Sequence, residues 1–115
     1  MSENHLKFKR IFAIDLSIYD LLKTEEGRFE LAKKESHQWL LDGMDHLQRF
    51  LTKGTVHESD KRFAADVVLW MFNVPGFSKE VFDDIEKILG SEHFVKDLLI
   101  SSKRLSERVE RLKAA

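Results

Sequence analysis

The sequence predicts an all-α, single-domain bundle of about five helices over residues 1–115, and three observations support this prediction. The 115 residues include five glycines and one proline, so few positions break a helix. Apolar side chains recur at intervals of three and four along most of the chain, which is the period of an amphipathic helix. A chain of this size also buries roughly two thirds of its unfolded surface, which is enough for one core without disulfides or metals.

Two neighbouring apolar stripes between residues 8 and 21 predict the first helix. Because the stripes are adjacent, they indicate a broad buried face. The alternation over residues 14–18 also fits a strand, but we see no second strand to pair with it. The stripes comprise Ile11, Ile14, Ile18 and Leu21, and Phe8, Phe12, Leu16 and Tyr19.

The second helix is predicted to begin after Thr24, because threonine caps helices and the following Glu25 and Glu26 complement the dipole of the first turn. It is predicted to run to Lys53 and Gly54, where a cation and a left-handed glycine end a helix. This is the longest predicted helix. Its core positions are Phe29, Ala32, Leu40, Met44, Leu47 and Leu51.

The most apolar segment predicts a central third helix over about residues 60–74. Seven of the eight residues from Val67 to Val74 are apolar, so this helix has no face left for water. We expect Trp70 in the core. The core positions are Phe63, Val67, Trp70 and Val74 on one side, and Ala64, Val68 and Met71 on another.

Residues at both ends of this segment predict its limits. Thr55 and Glu58 have the spacing of a capping box, in which the two side chains satisfy each other's free backbone amides. Ser59 or Asp60 is the alternative cap. Pro75-Gly76 predicts the end of the helix, because proline removes an amide and disfavours helix for the residue before it.

Two further helices complete the prediction. Ser78 is the expected cap of a shorter fourth helix that ends at Gly90, and Ser91 is the expected cap of a long amphipathic carboxyl-terminal helix. The inward positions of the fourth helix are Val81, Phe82, Ile85, Ile88 and Leu89. The last helix carries an apolar seam that comprises Val95, Leu98, Ser102, Leu105, Val109 and Leu112.

This seam is the main candidate for an interaction surface. It is longer than a five-helix domain of this size needs, and soluble monomers seldom leave such a strip open. It packs either inside its own bundle or against a second copy or a partner helix. Trp39 is a further candidate, since Leu40 already satisfies the core line and tryptophan is enriched at binding hot spots. The predicted interaction residues are Trp39, Val95, Leu98, Leu105, Val109 and Leu112.

The composition limits the classes of function. The chain has no cysteine, which excludes disulfides, thiolate zinc sites and cysteine nucleophiles. Nineteen basic and twenty acidic side chains give a formal net charge of −1, so the basic excess of a dedicated nucleic-acid binder is missing. The apolar run is far shorter than a membrane span, and the amino-terminal residues are too polar for a signal peptide. We therefore expect a soluble, cytoplasmic protein with no membrane association.

Paired carboxylates are the main enzymatic interpretation. Glu26 with Glu30, and Glu80 with Asp83, have the spacing of carboxylates that hold metal ions between facing helices. The pattern resembles the paired acidic motifs of all-α nucleoside triphosphate pyrophosphatases, although the doubled-glutamate box of that family is not cleanly present. The resemblance implies magnesium-dependent nucleotide hydrolysis. Acids near helix starts are equally explained by capping and by the helix dipole.

The histidines do not predict a metal site. His37 and His46 are nine residues apart, which points them to opposite sides of a helix. Asp42 and His46 lie one helical turn apart, and an exposed ion pair explains them. The glycines form no phosphate-binding loop or nucleophile elbow. We therefore predict no catalytic residue, no cofactor and no bound metal.

The region 78–105 has the order of a helix-turn-helix, which is the DNA-binding alternative. Residues 92–97 of its second helix place acids and apolar groups where arginine, asparagine or glutamine contact bases and phosphates. Nucleic-acid binding is therefore the weaker interpretation.

We predict a small non-enzymatic protein–protein interaction module, which acts as an adaptor, an inhibitor or a regulatory subunit through an amphipathic helix face. The partner is a protein of unknown identity, and a homodimer is one option. A DNA-binding transcriptional regulator and a magnesium-dependent nucleotide hydrolase are the alternatives.

Overall fold

A computed structural model describes residues 2–34, 36–54, 56–72 and 78–114, and within these ranges all regular structure is helical. The all-α class is therefore confirmed, whereas the predicted count of five helices becomes seven among the described residues. The helices are α1 (Glu3–Phe12), α2 (Leu16–Leu22), α3 (Glu25–Ala32), α4 (Gln38–Leu51), α5 (Glu58–Phe72), α6 (Ser78–Leu89) and α7 (Phe94–Ala114).

The predicted first helix is in fact two helices. α1 ends at Phe12 because Ala13 adopts the left-handed conformation with φ of 49°, and its N–H donates to the Lys9 carbonyl at 3.0 Å. Asp15 then caps α2, where its carboxylate accepts a hydrogen bond of 2.9 Å from the Ser17 N–H. This backbone hydrogen bond is the main cause that lowers the pKa of Asp15. The apolar stripes continue across the break, so periodicity alone does not reveal it.

The predicted second helix also divides, into α3 and α4. Thr24 caps α3 as predicted, since its Oγ1 accepts from the Gly27 N–H at 2.9 Å. Residues 33–38 are all polar and supply no apolar side chain for a core-facing turn, which accounts for the interruption. Phe29, predicted in the core, is 51% exposed, and Leu31 is buried instead.

The predicted glycine stop after α4 is confirmed. Thr52 is the C-cap residue of α4, and Gly54 has a φ of 137°, which favours glycine. The prediction that the second helix is the longest is wrong, because α4 has 14 residues whereas α7 has 21.

α5 packs against α2, α6 and α7. Trp70 and Leu69 are only partly buried at the edge of the core, so the helix is not enclosed on every side. The predicted Thr55 cap and the predicted stop at Val74 and Pro75-Gly76 lie outside the described residues. The buried residues of α5 are Asp60, Ala64, Ala65, Val67, Val68, Met71 and Phe72.

An aromatic cluster joins α5 to the amino-terminal helices. The buried ring of Tyr19 on α2 stacks on Phe8 of α1, with 4.8 Å between the ring centroids. On its α5 side, Tyr19 lies 6.0 Å from Phe63 and 6.3 Å from Trp70. Burial is the main cause that raises the pKa of Tyr19. Trp70 therefore belongs to the packing between α2 and α5.

α6 and α7 run antiparallel, side by side. Glu80 and Asp84 of α6 accept hydrogen bonds from Arg108 and Arg104 of α7, respectively, the first at 2.8 Å. A step of four residues forward on α6 matches a step of four residues backward on α7, which requires antiparallel helices in lateral contact.

The turn between α6 and α7 agrees with the prediction at its start only. α6 ends at Leu89, directly before Gly90. The Ser91 hydroxyl accepts a hydrogen bond of 3.0 Å from the His93 N–H, but α7 begins at Phe94, so Ser91 orders the turn and is not the N-cap of α7. The prediction for α6 is wrong at two inward positions, because Phe82 is 48% exposed and Leu89 is 39% exposed.

Candidate interaction surfaces

Most of the predicted α7 seam lies inside the fold. Leu98 and Leu105 are fully buried and Val109 is 1% exposed, because α4, α5 and α6 pack around that side of α7. Val95 is partly buried against the same core. The side chain of Leu112 lies outside the described ones. Leu98, Leu105 and Val109 were predicted to form an open docking strip. The structure corrects this, because the three side chains pack in the core of their own chain.

Trp39 lies in the first turn of α4 and is partly buried against the core. Its indole Nε1 is buried and has no hydrogen-bond partner within the described part of the chain. The same holds for Nδ1 of His37. A buried polar group without a partner costs about 1–3 kcal/mol. Trp39 therefore presents only part of its ring to a partner, and its role in binding stays a prediction.

A groove with a volume of about 770 Å³ lies between the start of α5 and the turn that joins α6 to α7. We call it the α5–α7 groove. It brings together residues that are about 30 positions apart in the sequence. Its lining consists of Glu58, Ser59, Lys61 and Arg62 of α5, Leu89 of α6, and residues 91–96.

Three residues of the α5–α7 groove lining are apolar, and we call Leu89, Phe94 and Val95 the floor of the groove. Leu89 is 39% exposed, and Phe94 and Val95 are partly buried where they pack against the core. Ser91 fixes this end of α7, since its hydroxyl accepts from the His93 N–H and donates to the Asp97 carboxylate. The three floor residues therefore belong to helices whose positions are set by packing against the core, and not to a loop.

We call the charged residues of the lining the rim of the α5–α7 groove, and more of them are basic than acidic. Three basic residues and two acidic residues line it. Lys61 Nζ lies 3.0 Å from Glu58 Oε1, so one acid is already matched by a base within α5. Arg62 of α5 and Lys96 of α7 are exposed, and Glu92 is the remaining acid. An occupant with negative charge is favoured.

A second exposed surface has the opposite charge. Phe29 projects from α3 and lines a shallow depression together with Thr24, Glu25, Glu26 and Glu30. We call these five residues the α3 face. Phe29 is half exposed, and three glutamates line the same depression.

The α3 face already holds one cation from its own helix. Lys33 Nζ lies 4.8 Å from the centre of the Phe29 ring and 3.4 Å from Glu30 Oε1. An ammonium group over an aromatic face and beside a carboxylate is stabilised by both. The α3 face is therefore suited to contact basic side chains.

The four carboxylates of the hydrolase alternative do not converge. α3 packs mainly against α2, whereas α6 packs against α5 and α7. Glu30 lies beside Lys33, and Glu80 accepts from Arg108. In the ranges that the structure describes, no group of three or more His, Cys, Asp or Glu residues is arranged to hold a metal ion. Ion pairs or a position in the first turn of a helix explain Glu26, Glu30 and Glu80.

The helix-turn-helix alternative also lacks its geometry. The pairs Glu80–Arg108 and Asp84–Arg104 place α6 and α7 in antiparallel contact along their lengths. The two helices of a DNA-binding helix-turn-helix cross at about 90–120° instead. α6 and α7 therefore form an αα-hairpin, and the start of α7 contributes to the α5–α7 groove.

Comparison with protein-family models, with curated proteins and with solved structures finds no match to this chain. Across the described helices, none is both long and apolar enough to cross a membrane. The α5–α7 groove and the α3 face are therefore the features from which function is inferred.

Proposed function

We propose that this protein is a protein–protein interaction module, an adaptor, inhibitor or regulatory subunit, that binds its partner in the α5–α7 groove. The observation that supports this most is the combination of an accessible apolar floor and a basic rim in one concavity. At protein interfaces, buried apolar contacts supply most of the affinity, and charges at the rim steer and select the partner.

The two walls of the groove favour a polypeptide occupant. Arg62 stands on α5 and Lys96 on α7, so an occupant that meets both bases contacts two helices. The floor residues Leu89, Phe94 and Val95 of the same lining offer it apolar contacts. A segment with apolar anchors and acidic flanks satisfies both parts of the lining.

In this proposal, the partner binds in the groove and not along the α7 seam that the sequence predicts. Val95 belongs to both, since it lies in the seam and lines the groove. Leu98, Leu105 and Val109 are instead buried in the core. The cytoplasmic location expected from the sequence stays a prediction.

Quantitative affinity capture from the native host tests this proposal. The groove variant Leu89→Ser/Lys96→Glu removes an exposed floor residue and reverses one rim charge. The control variant Phe82→Ser/Lys103→Glu makes the same chemical changes on the same two helices, at exposed positions outside the groove.

We expect at least one protein to be captured by the wild type and by the control variant and to be lost with the groove variant. Equal capture by all three would contradict binding in the groove. Circular dichroism of each variant checks that the helix content is unchanged, so that a loss reports on the surface alone.

A further inference from the structure

We propose that the α5–α7 groove receives the α3 face of a second copy of this chain. This inference rests on the interaction function proposed above, and it names the partner as the protein itself. The groove and the α3 face share no residue, so one copy offers both halves of the contact.

The apolar parts of the two surfaces match. Phe29 is 51% exposed at the centre of the α3 face, and Leu89 is 39% exposed on the floor of the groove. A phenylalanine side chain that enters the groove contacts Leu89 and the partly buried Phe94 and Val95. Docking removes exposed apolar area from water on both copies, which favours association.

The charged parts match as well. Glu25, Glu26 and Glu30 line the same depression as Phe29, and three basic residues against two acidic ones line the groove. An apolar anchor among acids therefore meets an apolar floor whose charged neighbours are more often basic than acidic. Such complementarity fixes the orientation of a contact and speeds encounter.

The internal contact of Lys33 illustrates the chemistry of this docking. Lys33 Nζ lies 4.8 Å from the Phe29 ring centre and within 3.4 Å of Glu30 Oε1. Arg62 and Lys96 of a second copy would make the same kind of contact from the rim of the groove. The ion pair of Lys33 is exposed, so little energy is lost when Glu30 exchanges this partner for another.

The whole-chain charge permits close approach of two copies. The formal net charge is −1 for 115 residues, so long-range repulsion between copies is weak. The attraction between the two surfaces is short-ranged and is screened by salt. We therefore expect association at low ionic strength and its weakening at high ionic strength.

Because the two surfaces differ, the contact is heterologous. Each copy uses its α3 face toward one neighbour and its groove toward another, which produces a closed ring or an open chain. Sedimentation equilibrium of the full chain tests this. From low to high micromolar concentration at low salt, the weight-average mass should rise to at least about twice that of one chain.

Two variants each break one half of the contact. The groove variant is Leu89→Ser/Lys96→Glu, and the α3 variant is Glu26→Lys/Phe29→Ser. Each variant alone should remain a monomer at the concentrations at which the wild type associates.

Each variant has a matched control. Glu3→Lys/Leu6→Ser on α1 copies the α3 variant, since it reverses an acid in the first turn of a helix and removes a half-exposed apolar side chain three residues later. Phe82→Ser/Lys103→Glu copies the groove variant. Both controls should associate as the wild type does.

A mixture of the two binding variants gives the most specific result. The groove variant keeps an intact α3 face, and the α3 variant keeps an intact groove, so one contact forms between them. The mixture should form a dimer with one chain of each variant, which cannot grow further. A variant that had lost its fold would not restore association in this way.

A wild type that stays monomeric at low salt and high micromolar concentration would overturn self-docking. So would controls that lose association as fully as the binding variants, or a mixture that stays monomeric. If, in those cases, the groove variant still loses a different captured protein, the groove remains an interaction site for that protein and the proposed function stands.

Discussion

The guanidinium of Arg10 on α1 donates to the buried carboxylate of Asp60 on α5, with 2.8 Å between Nη2 and Oδ1. The Asp60 side chain is 7% exposed and the Arg10 side chain is 56% exposed, so the ion pair joins the surface to the interior. The contact connects α1 to α5. The buried polar group of α5 is therefore satisfied by a distant helix.

Removal of this arginine should destabilise the fold. In Arg10→Ala, the Asp60 carboxylate stays buried without its donor, and we expect a loss of about 1–3 kcal/mol in the free energy of unfolding. Arg49→Ala is the matched control, because Arg49 forms an exposed pair with Asp45 at 2.7 Å. That control should change the stability by less than about 1 kcal/mol. Urea unfolding measures both values, and equal losses would contradict a structural role for the pair.

Gly27 should not tolerate alanine. A Cβ atom at Gly27 would lie 2.0 Å from the carbonyl oxygen of Leu21, and this obstacle is backbone, so α2 and α3 must separate. We expect Gly27→Ala to lower the free energy of unfolding by at least about 1–3 kcal/mol. At Gly90 the nearest atom is 3.9 Å away, and Gly90→Ala should change the stability by less than about 1 kcal/mol. Thermal unfolding of the two variants compares them, and a neutral Gly27→Ala would contradict the close approach.

Asp66 should make the stability fall as the pH rises. Burial raises the pKa of Asp66 above its ordinary value of 3.8, and Arg62 partly opposes this shift. The folded chain therefore binds the proton more tightly than the unfolded chain. As a result, the free energy of unfolding falls as the pH rises from the pKa of Asp66 in the unfolded chain to its pKa in the folded chain. Asp66→Asn cannot lose a proton, and its stability relative to the wild type should increase from about pH 3 to about pH 7.

Asp15 is a control of opposite sign for this experiment. The Ser17 amide hydrogen bond lowers the pKa of Asp15, so its contribution is present above the ordinary value and is lost as the pH falls through the folded pKa. Urea unfolding at several pH values should show opposite trends for Asp66→Asn and Asp15→Asn. Trends of the same sign would contradict the assigned environments.

The buried part of α7 should behave as core. Leu105 is fully buried, and Leu105→Ala should cost about 2–5 kcal/mol through lost burial and the cavity left behind. Ile100 on the same helix is 58% exposed, and Ile100→Ala should change the stability by no more than about 0.5 kcal/mol. Urea unfolding distinguishes the two. Similar small losses would restore the α7 seam as an open interaction surface.

Helix ends were predictable from the sequence where a side chain or a glycine defines them. Thr24 accepts a hydrogen bond from the Gly27 N–H at the start of α3, and Gly54 has a positive φ after α4, as expected for these residue types. The break at Ala13 was not predictable in this way. Alanine rarely adopts the left-handed conformation and carries no turn signal, so tertiary packing must impose it.

The exposure of Phe29 had a signal in the sequence that the apolar period concealed. Glu25 and Glu26 stand four and three residues before it, so they share its face of the helix. If Phe29 lay in the core, the carboxylates of Glu25 and Glu26 on the same face would be buried with it. The α5–α7 groove had no such signal, because Arg62 and Lys96 become neighbours only through the packing of α5, α6 and α7.

Photo-crosslinking from residue 89 is the most direct test of the central claim that the α5–α7 groove binds protein. A photoreactive phenylalanine analogue replaces Leu89 in the groove or, as a control, Phe82 on the same helix. Both chains are irradiated in lysate of the native host and with an excess of the wild-type chain.

We predict covalent protein adducts from position 89 that Lys96→Glu abolishes, with few adducts from position 82. Adducts to the α3 face of a second copy would support self-docking in addition. Adducts from position 82 alone, or adducts from position 89 that Lys96→Glu leaves unchanged, would contradict binding in the groove.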